Sequence, residues 1–196
     1  MNPSDQRVLA GIQAELDRVI RYDDESIVND KWIRQRYDCG CVPSLGPARK
    51  ATVQTAWHEA GHAVAALAVG ARFNSASIHH GRDSEGRVRG IRGAPDLSFV
   101  IDAAGQIAER LMNWTMLDRD DEMREWLLAW QADGGDAKRF RRAAASLFGN
   151  EGLAAWRYSE QVLAPRRLEI RRVARALLVH PRYLSYPVVA AIAAAR

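Results

Sequence analysis

The sequence predicts a mainly α-helical protein carrying one small β-hairpin. Apolar residues recur at helical spacing along most of the chain, beginning with Val8, Ile12, Leu16 and Ile20. Only one stretch has strand character: residues 73–79 and 87–91, which flank a polar tip bounded by Gly81 and Gly86. With 196 residues, 47% of them hydrophobic, the chain can build one core and is too apolar for disorder.

The elements follow in order. Ser4 is the expected N-cap of a first helix through Ile20. A second amphipathic piece lies near residues 26–37, and residues 38–49 read as a loop with two glycines and two prolines. A helix starts near Thr52 and runs to Val69, where Gly70 ends it. After the hairpin, Pro95 opens a helix to about Trp114, and another spans residues 120–130. Gly134 and Gly135 break the chain, and Asp136 starts a helix to about Leu147. Residues 151–179 are helical, with Pro165 forcing a kink or split. A short helix ends the sequence. The organisation expected is a helical extension over residues 1–50 and a main domain over 51–196.

Composition excludes some classes. No apolar run approaches the roughly 18 residues of a membrane span. Residues 1–5 lack a basic region followed by an apolar one, so no signal peptide is expected and a cytoplasmic protein is the default. The formal charge is +4, and 28 − 3 = 25 of the basic residues are arginine. That weakly favours nucleic acid at most. Arg139, Arg141, Arg142 and Arg166, Arg167, Arg171, Arg172, Arg175 read as solvated helix faces. Trp126 and Trp130, one turn apart, read as packing. Cys39 and Cys41 are too close for a relaxed disulfide and too few for a four-ligand zinc site, so they read as reduced thiols.

The chemistry is carried by Trp57-His58-Glu59-Ala60-Gly61-His62-Ala63. On a helix, positions i and i+4 share a face, so two imidazoles can bind one zinc ion. Glu59, about 100° round the helix from His58, stands beside the metal without binding it. It is placed to act as general base toward a water molecule made acidic by zinc. The uncharged neighbours suit a buried helix. Gly61 costs about 1 kcal/mol relative to alanine, which implies close approach of another element. A catalytic zinc needs a third protein ligand. His79, His80 and His180 remain, and no histidine follows His62 within a turn and a half. A carboxylate from a later helix is expected, with Asp102, Glu109, Asp133 and Asp136 as candidates.

His58-Glu59-Ala60-Gly61-His62, followed by a hairpin and a helix, resembles the peptidase domain of FtsH-type AAA proteases. Ala103-Ala104-Gly105-Gln106-Ile107-Ala108-Glu109-Arg110-Leu111 is similar to that family's Gly-Gly-Arg-x-Ala-Glu-Glu-Leu helix. Gly134-Gly135-Asp136 is similar to its Gly-Ala-x-Asn-Asp segment, and Leu163-Ala164-Pro165-Arg166-Arg167 begins a match to its C-terminal helices. The resemblance covers about residues 52–193. It implies a zinc peptidase fold, Asp136 as third ligand, and Glu109 as a carboxylate orienting a ligand histidine from behind, or ligating directly. The family's second Glu is Arg110 here, and its Asn before the ligand Asp is Gly135. The chain has no GxxxxGK[ST] phosphate loop, so it is expected to cut unfolded or exposed segments without ATP, or to borrow an unfoldase or activating partner. Residues 73–78 could offer an edge strand to an extended substrate. The alternative to an endopeptidase is a zinc-binding regulatory or partner-binding module. Self-association is left open.

Overall fold

The computed structural model describes residues 1–20, 53–78, 86–113, 120–132, 135–149, 152–180 and 183–195. The expected piece at 26–37, the loop at 38–49, both cysteines, His79, His80 and Asp133 lie outside them. Among the described residues there are eight α-helices and three short strands: α1 (Pro3–Ile20), α2 (Val53–Ala68), β1 (Ser75–Ser77), β2 (Arg87–Arg89), α3 (Ser98–Asn113), α4 (Asp120–Ala132), α5 (Asp136–Phe148), α6 (Gly152–Leu163), α7 (Arg167–Val179), β3 (Leu184–Ser185) and α8 (Tyr186–Ala194). The protein is mainly α with one small antiparallel sheet. None of these helices is long and apolar enough to cross a membrane.

Local chemistry sets the helix ends. α1 starts earlier than Ser4 predicts, because Asn2 is the cap: its Oδ1 accepts the Asp5 N–H at 2.8 Å, and Pro3 fills the first helical position. At the other end of α2, Gly70 sits at φ 74°. The Ala71 N–H returns to the Ala66 carbonyl at 2.8 Å and the Gly70 N–H to Leu67 at 3.2 Å, a paired closure that requires the left-handed glycine. Pro165 splits its helical region into α6 and α7 through a 3₁₀ turn at Ala164–Arg166. Pro95 opens a 3₁₀ turn, Pro95–Leu97, and α3 begins only at Ser98.

The sheet corrects an expectation. Its order is β2-β1-β3, so the anticipated hairpin carries a third strand. β1 is paired on both sides and offers no free edge; among the described residues the edges of the sheet are β2 and β3, and β2 is the one that adjoins the helix bearing the histidines. β3 is only two residues long, too short for alternation to register.

α2 runs through the core with Ala56, Ala60, Ala63, Val64, Ala65 and Ala66 buried, and packs on α3 and α7. Gly61 meets α3 directly: a Cβ there would lie 2.6 Å from the Ala108 Cβ. The glycine is therefore the close-approach point its helix-breaking character suggests. α4, α5 and α6 are joined by aromatic rings. Trp156, fully buried, packs edge-on against Trp126 at 4.9 Å and Trp130 at 5.4 Å, and Trp130 meets Phe140 of α5 at 5.4 Å. Trp126 and Trp130 are packing residues, as expected, and through Phe140 they fix the helix that carries Asp136. α1 lies against α7 and α8, with Ile12 buried in the common core.

Candidate metal centre

α2 presents His58 and His62 one turn apart, and the first turn of α5 brings Asp136 to them. His58 Nε2 and His62 Nε2 are 3.0 Å apart, and Asp136 Oδ2 is 3.2 Å from the first and 3.1 Å from the second. Among the described residues this is the group of histidine and carboxylate side chains that could hold a metal ion. Gly135, at φ 65°, precedes Asp136 as the cap of α5 and makes no side-chain cap bond. The Asp136 carboxylate is thus not an N-cap and is turned to the histidines.

The opposite ring nitrogens decide what this triangle can hold. His62 Nδ1 lies 2.6 Å from the Ile101 carbonyl oxygen, which can only accept, so Nδ1 carries the proton and donates. His58 Nδ1 donates to Glu109 Oε1 at 2.6 Å. A neutral ring then presents an Nε2 lone pair. Two such lone pairs and a carboxylate oxygen facing one another call for a cation between them. A tetrahedral zinc with bonds of about 2.0–2.1 Å has ligand separations of about 3.3 Å, close to the triangle here. The donor set suits zinc, and both rings are oriented from behind as ligand histidines usually are.

The other candidate residues take separate places. Glu109 is on the far side of the His58 ring, where its second oxygen accepts from the Gln54 amide, and it is not among the three inward-facing groups. Asp102 accepts from Arg139 Nε at 2.9 Å and stays out of the triangle. Arg139 also donates to Asp136 Oδ1 through its NH2 group, leaving Oδ2 for the histidines. Arg139 is exposed, as expected of a solvated helix face, yet its head group reaches both acids. Arg141 and Arg142 are exposed as expected. The i, i+3 spacing of Asp136 and Arg139 is a signal that could have found the pair. Ile101 acts through its backbone and left no signal. His180 caps α7 and is not part of the cluster.

Glu59 is buried beside the triangle. Its carboxylate accepts the Val88 N–H from β2, and burial pushes its pKa up against the pull of His62 and His58. A Cβ on Gly86 would come within 2.6 Å of Glu59 Cγ, so the sheet closes directly over the acid. The site opens into a cleft of about 810 Å³ lined by both histidines, Glu59, Asp136, Arg87 and Ile91, among others.

Without a metal, a proton is the available cation. Burial lowers the His58 pKa, but the carboxylates of Asp136 and Glu109 outweigh it and raise it to about 10. Burial likewise raises Asp136, yet the two imidazoles and Arg139 hold it well below the usual carboxylate range. A folded-state value above the unfolded 6.5 favours folding while His58 is protonated. That contribution is complete below about pH 6.5 and is lost as pH rises toward about 10. Melting temperatures of the chelated protein should accordingly fall across this range, and His58→Gln should flatten the slope. A slope that survives in the variant would assign it to another group.

A scan against protein-family models finds no match for this chain, and a search of curated proteins finds none either.

Proposed function

We propose that the chain is a zinc-dependent endopeptidase of the FtsH peptidase type, acting on unfolded or exposed polypeptide segments. The observation that carries this reading is the convergence of His58 Nε2, His62 Nε2 and Asp136 Oδ2 within 3.0–3.2 Å, with both Nδ1 atoms engaged elsewhere and a buried glutamate alongside. His58, His62 and Asp136 would hold the ion. Zinc supplies Lewis acidity, polarising an amide carbonyl and making a water molecule more acidic.

The protein's own groups do the rest. Glu59 accepts a proton from the attacking water as its oxygen bonds to the carbonyl carbon. It then delivers that proton to the departing amine nitrogen as the carbon–nitrogen bond breaks. The Val88 N–H fixes the carboxylate for both transfers. Burial keeps Glu59 more basic than a solvated glutamate, which suits proton abstraction. Glu109 and the Ile101 carbonyl hold the two rings in register, and Arg139 holds Asp136 to a single inward-facing oxygen. The cleft beside β2 admits an extended backbone, to which the open edge of that strand can hydrogen-bond.

The test is zinc content after mild purification, alongside digestion of casein. About one zinc per chain is expected, with almost none in His62→Ala. Casein should be cut without ATP, whereas a stable folded protein should resist unless an unfoldase partner is supplied. Equal zinc in wild type and His62→Ala would refute the site. Cleavage by the pure chain that appears only with ATP would refute the ATP-independent reading.

A further inference from the structure

The sheet carries four exposed arginines: Arg72, Arg87, Arg89 and Arg92. Arg72 and Arg92 face each other across an isolated bridge that continues the β1–β2 pairing. None of the four forms an ion pair with a described residue. The acids of the cleft, in contrast, are all engaged. Glu109 is held by His58 and Gln54, Asp102 and Asp136 by Arg139, and Glu59 by the Val88 N–H. Among the described residues the unneutralised charge along this rim is positive.

Arg87 and Arg89 stand in a definite relation to the general base. They flank Val88, the residue of β2 that touches Glu59. Strand alternation puts them on one face of the sheet and Val88 on the other. Their partners across the ladder are Ser77 and Ser75, small uncharged side chains that neutralise neither. A peptide added along the edge of β2 that no described residue pairs would place side chains two residues apart directly opposite Arg87 and Arg89, at about 4.5–5.5 Å between Cβ atoms. Acidic side chains there form ion pairs, and basic ones are repelled.

We infer that β2 docks acidic extended polypeptide segments, with Arg87 and Arg89 selecting acidic residues on either side of the position that faces Val88. The inference deepens the peptidase reading by naming its substrate class: chains with carboxylates at alternate positions. A plainer account is that charge on an edge strand only prevents pairing between copies. That account predicts no preference among peptides.

The experiment measures anisotropy of short labelled peptides in which Glu, Gln or Lys alternates with Thr. All proteins carry Glu59→Gln so that the peptides survive. The Glu peptide should bind about tenfold tighter than the Gln peptide, with the Lys peptide weakest, because two exposed pairs each contribute modestly. High salt should erase the difference. Arg87→Gln with Arg89→Gln should bring the Glu peptide to the Gln level, whereas Arg87→Lys with Arg89→Lys should keep the preference and report intact folding. Equal affinity for the Glu and Gln peptides, no binding of any of them, or a preference that survives the double Gln substitution would overturn the inference. So would an oligonucleotide that outcompetes the Glu peptide and depends on the same two arginines, which would assign the strand to nucleic acid. Failure of the two readings is distinguishable. A charge preference in a protein whose wild type cleaves nothing sinks the peptidase and leaves acidic docking standing. Cleavage indifferent to charge does the reverse.

Discussion

Glu59→Gln should keep zinc and fold while lowering peptide hydrolysis by about 10²–10⁴-fold, the usual contribution of a general base. The geometry separates the two roles. The three inward-facing atoms belong to His58, His62 and Asp136, and Glu59 is not among them. Its carboxylate is engaged by the Val88 N–H. A glutamine has the same volume beneath Gly86 and an oxygen to accept that N–H, so neither packing nor the metal ligands are disturbed. What disappears is the capacity to take a proton. Zinc content by elemental analysis and turnover of a fluorogenic peptide, measured on the same preparations, check both halves. Full activity in the variant would eliminate Glu59 as base; loss of zinc would make it a ligand.

Gly105→Ala should have an effect as large by an opposite route, losing the metal while keeping the fold. Position 105 lies inside α3, where alanine favours the helix by about 1 kcal/mol. The added methyl would, however, fall on the His58 ring, overlapping Cε1 and Nε2 and lying 2.7 Å from Cδ2. Glu109 holds the far side of that ring at 2.6 Å, so the imidazole cannot retreat without giving up its orienting bond. Nε2 must leave the triangle. Zinc affinity should drop by roughly 100-fold or more, judged against the 10–100-fold cost of disturbing an orienting partner. Circular dichroism of the metal-free protein should match wild type, and its melting temperature should lose only the pH-dependent contribution that His58 makes between Asp136 and Glu109. Gly61→Ala is the contrast. Its methyl meets the α3 backbone and the Ala108 Cβ, so it should cost the fold itself about 1–3 kcal/mol. A Gly105→Ala protein with undiminished zinc affinity would contradict the position of His58 against α3.

Much of this was readable because the signals are local. The i, i+4 histidines, the glutamate between them, the glycine that ends α2 and the proline that divides α6 from α7 each act within a turn or two. The mainly helical class followed from spacing alone. Asp136 was singled out among four carboxylates only through resemblance, since nothing local tells which acid of a distant helix will arrive at the histidines. Its selection depends on the tertiary packing of Phe140 against Trp130 and Trp156. The third strand was missed because Leu184–Ser185 is recruited by β1 and has no pattern of its own. Arg139 is exposed, as a charged residue on a polar helix should be, but its pairing with Asp136 and Asp102 depends on which acids the packing brings to it. Contributions from the backbone, the Ile101 carbonyl and the Val88 N–H, have no side-chain signature at all.

The distance along the chain between the ligands bears on how the protein is made. Asp136 follows His62 by 136 − 62 = 74 residues, and α3 and α4 lie between them in the chain. At synthesis rates of roughly 5–20 residues per second, about 4–15 s separate translation of the two sites. Throughout that interval the nascent chain bears the paired histidines and the glutamate with an incomplete ligand set. In the proposed enzyme, hydrolytic competence would therefore come only when the later helices have docked, so a half-made copy would be poorly equipped to cut itself or its neighbours on the ribosome.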